Sequence, residues 1–385
     1  MLQLFNISHF SAGFIAVLVG YTSSVAIILQ AADAVGASAA QKSSWLWALG
    51  LGMSVSTIAL SLRYKKPVLT AWSTPGAALL VSGLSGLTIE QAIGAFLFSS
   101  VLITVAGFSG GFAKIMHAIP HSLASAMLAG VLLPFGLKVF GALESQFTLV
   151  AVMLLVYLSG RRLFPRYAIP LVLLSGLLVA GLQQSLHVDA LDWQLAKPVW
   201  VTPAFSWQAL LGVGLPLFIV TMASQNVPGL ATLSANGYSV PVSPLIGWTG
   251  LTGLALAPFG GFAFNLAAIT AAICQGEEAD PDPRQRYLAA IWAGLFYALT
   301  GAFAASVVGL FAAFPEELVF AIAGLALLGT IGNSLADSLS GHDDREAALL
   351  TFMITASGLS LFGIGSAFWG LVVGGAVWMI RSKNR

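Results

Sequence analysis

Three consecutive polar residues, Ser224, Gln225 and Asn226, stand just before Pro228, and Asn265 follows the pair Gly260 and Gly261. All lie in a stretch, residues 198–276, that contains no Asp, Glu, Lys, Arg or His. Hydrocarbon excludes unpaired charge, so an uncharged run of this length can hold about three spans of roughly 20 residues each. Proline and bare amides persist at membrane depth only where neighbouring protein or a water-lined cavity satisfies the polar groups they free. The chemistry open to these side chains is therefore binding. Pro228 adds to it, because its ring would clash with the carbonyl of Ser224 and leave that acceptor open to a ligand, a proton carrier or water. A comparable cluster, Tyr21, Thr22, Ser23 and Ser24, occurs in the first hydrophobic segment. Serine and threonine in membrane helices also bond their own backbone or ease close packing, so that cluster fits either role.

Two further segments hold the elements that would position such a site. TAWSTPGAALL places Thr74 as a helix N-cap with Pro75 at the first helical position, and GGFAFNLAAIT places Asn265 as the cap after a Gly-Gly break. Each predicts extended backbone leading into a half-helix that starts inside the membrane. A helix N-terminus exposes unpaired N–H groups and carries roughly half a positive charge, so two of them meeting near the midplane form an anion site without lysine or arginine. A carboxylate fits it. Phe264 and Trp72 flank the expected caps and could stack on a ring, or simply fill space. Asn333, in TIGNS, is expected to make an interhelical hydrogen bond.

The rest of the chain agrees with a membrane interior. Its 385 residues are 58% hydrophobic and 8% charged, and the mean hydropathy is +0.90, more apolar surface than a soluble core of this size hides. A net charge of +1 gives no reason to expect nucleic acid as a partner. The single cysteine, Cys274, can form no internal disulfide and is read as packing. Enzyme and metal chemistry need convergent Asp, His or Cys groups. The five histidines instead fall at or beyond the expected membrane boundaries, so neither a catalytic centre, a metal nor a cofactor is expected. The N-terminus lacks the basic region and cleavage site of a signal peptide, so the first segment is expected to remain as a span.

Apolar runs fall at 8–32, 43–62, 67–83, 88–110, 119–143, 147–160 and 167–186, then, after a more polar connector at 187–207, at 208–234, 243–257, 259–276, 285–314, 317–339, 346–362 and 366–380. This predicts an all-α integral membrane protein of about fourteen segments in two groups of seven. With both termini cytoplasmic, only Lys42, Lys138 and Lys197 of the 16 basic residues fall outside, as the positive-inside rule requires. An odd number of spans per half inverts the second half relative to the first, and the short third segment of each half repeats one device, strand plus half-helix.

The segments GYTSSVAIILQAADAVGAS, LTAWSTPGAALL, TMASQNVPGLATL and APFGGFAFNLAAITAAICQG resemble, end to end, the benzoate:proton symporter family of the BenE type. That family is similar in architecture to the uracil, nucleobase and sulfate transporters, with a 7+7 inverted repeat. The resemblance implies a core domain from 1–110 and 207–314 and a gate domain from 111–206, connector included, and 315–385, with substrate between them. It implies import of an aromatic carboxylate such as benzoate with protons, in a bacterial inner membrane, and allows a homodimer. The residues expected around the ligand are Thr74, Gln225, Asn226 and Asn265, with Ser224, Tyr21, Ser24 and Phe264 beside them. Proton-coupled nucleobase carriers of this fold place carboxylates where this chain has Gln225, Asn226 and Asn265. Amides suit an anionic ligand better than an embedded glutamate would. They also remove the obvious proton carrier, since Asp33, Glu144, Glu316 and Asp337 lie near the expected boundaries. A nucleobase or inorganic-anion carrier and a passive channel are the competing readings.

Overall fold

The computed structural model describes residues 6–111, 120–186, 193–277, 279–341, 344–362 and 364–382. Four helices and a short strand open the chain: α1 (Ile7–Ala34), α2 (Ala39–Tyr64), β1 (Thr70–Ala71), α3 (Thr74–Gly83) and α4 (Ile89–Phe108). Then come α5 (His121–Ser145), α6 (Phe147–Leu163) and α7 (Ala168–Leu182). The second half repeats the order with α8 (Trp207–Ser234), α9 (Val242–Leu256), β2 (Asn265–Leu266), α10 (Ile269–Gln275), α11 (Tyr287–Ala302), α12 (Ala304–Ala312), α13 (Glu316–Leu339), α14 (Arg345–Ala356) and α15 (Ser366–Ser382). Every predicted segment contains helix, and among the described residues the membrane architecture is helical apart from β1, β2 and an isolated bridge between Leu361 and Ile364.

Among the described residues, seven helices are long and apolar enough to cross a membrane alone, and α11 with α12, bent by 66°, makes an eighth. The remaining segments fall short of that length for physical reasons. Two are the strand-plus-half-helix units, and α7, at 15 residues, is a shorter apolar helix. Capping boxes start α2 (Ser38 with Gln41) and α4 (Thr88 with Gln91), each satisfying two otherwise unpaired helix-end donors. Within α8, Leu210–Gly214 and Met222–Asn226 widen into π turns. The second lies just before Pro228, which has no N–H to give the carbonyl of Ser224.

Helices α1 to α4 pack against the second-half helices α8 to α11, with α2 on α11, α4 on α9 and α1 on α11. Helix α5 packs on α13 and α14, α6 on α7, and α14 on α15. Small residues allow the first set its close approach. A Cβ on Gly13 would stand 2.7 Å from the Ala293 nitrogen, one on Gly50 2.7 Å from the Gly301 Cα, and one on Gly250 2.5 Å from the Thr104 nitrogen. In lipid no hydrophobic force separates helix from solvent, so this backbone-to-backbone dispersion is a main source of cohesion.

At the centre, β1 and β2 form a two-stranded antiparallel sheet, Thr70 opposite Leu266 and Ala71 opposite Asn265. Buried Thr70 anchors β1: its hydroxyl lies 2.6 Å from that of Ser56 and 2.9 Å from that of Thr57, and donates to the Met53 carbonyl at 3.2 Å. Asn226 anchors β2, its Oδ1 accepting the Leu266 N–H at 2.9 Å.

Both expected caps are corrected here. Ser73 caps α3, accepting from the Gly76 N–H at 2.9 Å, which moves Thr74 to the first helical position and Pro75 to the second. Asn265 caps nothing. It is consumed by the β1–β2 ladder, and α10 begins four residues later with Ala268 at the cap position and no side-chain cap.

A cavity at two half-helix starts

A cavity of about 660 Å³ lies where α3 and α10 begin. Helix α1 contributes Gly20, Ser23 and Ser24, the α3 start contributes Trp72, Thr74 and Pro75, α8 contributes Ser224, Gln225 and Pro228, and the α10 start contributes Ala268, Ile269 and Thr270. The opposite wall comes from α6, α7 and α13, with Tyr157, Arg161, Ile169, Leu327, Thr330 and Asn333 among its residues. The volume sits within the roughly 300 to 1,000 Å³ usual for small-molecule sites.

The two helix starts differ in what they offer. At α3, Pro75 has no N–H and Ser73 takes that of Gly76, so Thr74 keeps the one N–H without an acceptor among the described residues. At α10, no described residue caps the N–H groups of Ile269, Thr270 and Ala271, and the first internal bond runs from Ala272 N–H to Ala268 O at 3.0 Å. Uncapped amides of this kind attract negative charge through both the free donors and the local dipole. Gln225, half-buried, has no hydrogen bond to any described residue, so its amide is available to a ligand. Exposed Ile269, with Ile169, Ile273 and Leu327, supplies apolar surface in the same cavity. Polar donors and hydrocarbon together in one cavity suit an amphipathic anion.

The sequence of this chain matches the model of the family described as benzoate membrane transport protein, BenE, over residues 3–380. It is 40% identical over 383 residues to a benzoate membrane transport protein of Acinetobacter baylyi, covering 100% of this chain and 97% of that one. The chain belongs to the BenE family. A second relative is the inner membrane protein YdcO of Escherichia coli, 53% identical over 378 residues with 97% of each chain covered. The fold is similar to that of the bicarbonate transporter BicA transmembrane domain from a cyanobacterium, with a TM-score of 0.58, 13% identity, and 95% of this chain and 96% of that one covered. It is also similar to SLC26A9, with a TM-score of 0.65, 13% identity and 98% of this chain covered; the chain spans 65% of SLC26A9. These likenesses show that the chain shares the fold of those membrane transporters, and its element order is consistent with a 7+7 inverted repeat. BenE proteins are membrane transporters and not a class of enzyme.

Of the predicted site residues in this BenE member, Thr74, Ser224, Gln225 and Ser24 line the cavity, and four do not. Asn226 is fully buried behind it, held by Leu266 N–H and with its Nδ2 3.2 Å from the Met222 sulfur. Asn265 is equally buried and donates from Nδ2 to Ala263 O at 3.0 Å. Both amides brace strand β2. Phe264 is buried among Gly52, Gly253 and Leu256, filling the space that those glycines leave between α2 and α9. Tyr21 sits behind the wall, edge-on to Trp72 with ring centroids 4.8 Å apart. Trp72 reaches the cavity and is fixed by donation from Nε1 to the Ser24 hydroxyl at 2.8 Å, which itself donates to Gly20 O at 2.7 Å. Ser23 and Thr22 also bond their own helix, to Gly20 O and Leu18 O.

Sequence reasoning passed over the facing wall. Asn333 makes no hydrogen bond to a described residue and faces the cavity, against the expectation of an interhelical bond. Arg161 read as a topological charge; the signal that could have found it is Tyr157, four residues earlier on the same helical face.

Proposed function

We propose that this chain is a secondary active transporter that imports an aromatic carboxylate, benzoate, with protons by alternating access. The observation that carries the reading is the pairing, in one cavity, of uncapped helix-start amides and the free Gln225 amide with apolar surface, and with no acidic side chain among the described lining residues. The carboxylate is held at the starts of α3 and α10 by the Thr74 N–H and hydroxyl, the α10 amides and Gln225. The ring lies toward Ile269, Ile273 and Leu327. The name of the Acinetobacter relative supports benzoate as the acid.

Residues 1–110 and 207–314 act as the core and 111–206 with 315–385 as the gate. Support comes from the packing, in which α1 to α4 pack against α8 to α11 and α5 packs with α13 and α14, and from a cavity walled by both sets. Movement of one body against the other opens the cavity to each side in turn. The distribution of basic residues supports both termini and the Arg161 end of α6 on the cytoplasmic side of a bacterial inner membrane. With no Asp, Glu or His among the described lining residues, the coupled proton travels with the substrate or through cavity water. A neutral nucleobase fits less well, because no acidic side chain among the described lining residues accepts its ring N–H groups.

Uptake of labelled benzoate, uracil, xanthine and sulfate into proteoliposomes, with and without an inward proton gradient, tests the reading. Benzoate accumulation above the external concentration, dependent on the gradient, is the expected result. Accumulation of another substrate in preference to benzoate overturns it.

A further inference from the structure

The cavity contains one charged group among its described lining residues, the guanidinium of Arg161 at the end of α6. Its Nη1 donates to the Tyr157 hydroxyl at 3.1 Å. The guanidinium passes over Gly329 of α13, where a Cβ would stand 3.7 Å from Nη1 and 3.8 Å from Nη2. No carboxylate among the described residues pairs with it, and the side chain is exposed to the cavity. An arginine whose only need is to sit on the cytoplasmic side has open water beyond the helix end to point to. This one is held by an aromatic hydroxyl across a bare glycine, in the cavity shared with the helix starts. An ionisable group placed in a membrane-protein cavity without a counter-charge marks a ligand path.

We propose that Arg161, positioned by Tyr157, is a second carboxylate contact on the wall opposite the helix starts. It receives the anion as it enters or leaves that site and selects the ionised acid over neutral analogues of the same shape. The inference deepens the reading of the chain as a transporter of an aromatic carboxylate and rests on it. A guanidinium presents a planar fork that engages both carboxylate oxygens, whereas the helix-start amides and Gln225 also bond a neutral amide. Arg161 therefore adds a full, bidentate charge to the partial positive charge of the helix starts and carries the larger share of the discrimination between ionised and neutral ligands. The contact is electrostatic and reached through water, so its contribution weakens as ionic strength rises.

Equilibrium binding of benzoate and its neutral isostere benzamide to the purified transporter separates the two claims. Wild-type protein is expected to prefer benzoate, and Arg161→Gln to bind benzoate about tenfold or more weaker with benzamide unchanged. Arg161→Lys, which keeps the charge and loses the fork, falls between. Arginine-directed modification by phenylglyoxal, read by peptide mass on the wild-type chain, gives a result even if the variants do not fold: benzoate slows modification of Arg161 and benzamide does not. Wild-type-like benzoate affinity in a folded Arg161→Gln variant, or equal modification of Arg161 with and without saturating benzoate, overturns the second contact alone. Wild-type protein that binds no benzoate overturns the transported acid itself, and the Arg161 contact falls with it.

Discussion

Gln225 and Asn226 are adjacent amides with opposite roles, and substituting each by alanine separates binding from folding. Asn226 is buried and its Oδ1 takes the Leu266 N–H at 2.9 Å, so Asn226→Ala leaves that buried donor without an acceptor. An unsatisfied buried group costs about 1 to 3 kcal/mol, and the space vacated beside Met222 adds to it. Gln225 makes no bond to a described residue, so Gln225→Ala leaves stability within about 0.5 kcal/mol. Its effect appears on ligand addition. A hydrogen bond to a charged group is worth about 1.5 to 3 kcal/mol, so benzoate binds Gln225→Ala roughly tenfold weaker or worse. At a benzoate concentration 100 times the wild-type Kd, ligand stabilises the wild type by about 2.7 kcal/mol and a tenfold-weakened variant by about 1.4 kcal/mol. Thermal unfolding in detergent, with and without benzoate, reads both quantities. Asn226→Ala starts lower and keeps a full ligand-induced shift if it folds; Gln225→Ala starts at the wild-type temperature and loses about half the shift. The reverse pattern would refute the assignment of the two amides.

Other consequences follow from the same geometry. Gly229→Ala puts a Cβ 2.6 Å from the Leu266 carbonyl oxygen, so it displaces β2 and lowers both thermal stability and benzoate uptake, the latter measured at matched protein levels. Thr70→Val removes the hydroxyl shared by Ser56, Thr57 and the Met53 carbonyl; unfolding measurements should show a loss of about 1 to 3 kcal/mol, and an unchanged unfolding temperature would mean β1 is held by its ladder alone. Cysteines placed at 64 or 285 on a Cys274→Ala background resist an impermeant thiol reagent in intact cells, and labelling of both would overturn the cytoplasmic assignment of those loops. Neutralising Asp33, which pairs with Lys42 at the end of α1, or Glu144, Glu316 or Asp337 one at a time slows gradient-driven uptake without abolishing accumulation, because a group near the interface exchanges protons with bulk water in either conformation. A variant that exchanged benzoate normally but ignored the proton gradient would identify the coupling site.

The paired half-helices were legible because their signals are local: small residues, a hydroxyl cap and a proline at one start, a Gly-Gly break at the other. The choice between Ser73 and Thr74 was not, since either hydroxyl can cap and only the backbone angles place Ser73 outside the helix. Asn265 misled for a different reason. Its fate is set by antiparallel pairing with Ala71, 194 positions earlier in the chain, and no local pattern announces a ladder of two residues. Gln225 and Asn226 offer the same amide chemistry in sequence, and since neighbours on a helix point about 100° apart, only the packing around α8 shows which faces the cavity and which meets β2. Arg161 was hidden by a sound rule, because a basic residue at a helix end expected to be cytoplasmic needs no further explanation until the cavity reaches it.

A structure of the transporter with benzoate bound tests the site and the function together. The account predicts the carboxylate within about 3 Å of the Thr74 N–H or the α10 amides and of the Gln225 side chain, with the ring against Ile269. Benzoate bound elsewhere in the protein, or seated in this cavity with its carboxylate away from those amides and from Gln225, would contradict it.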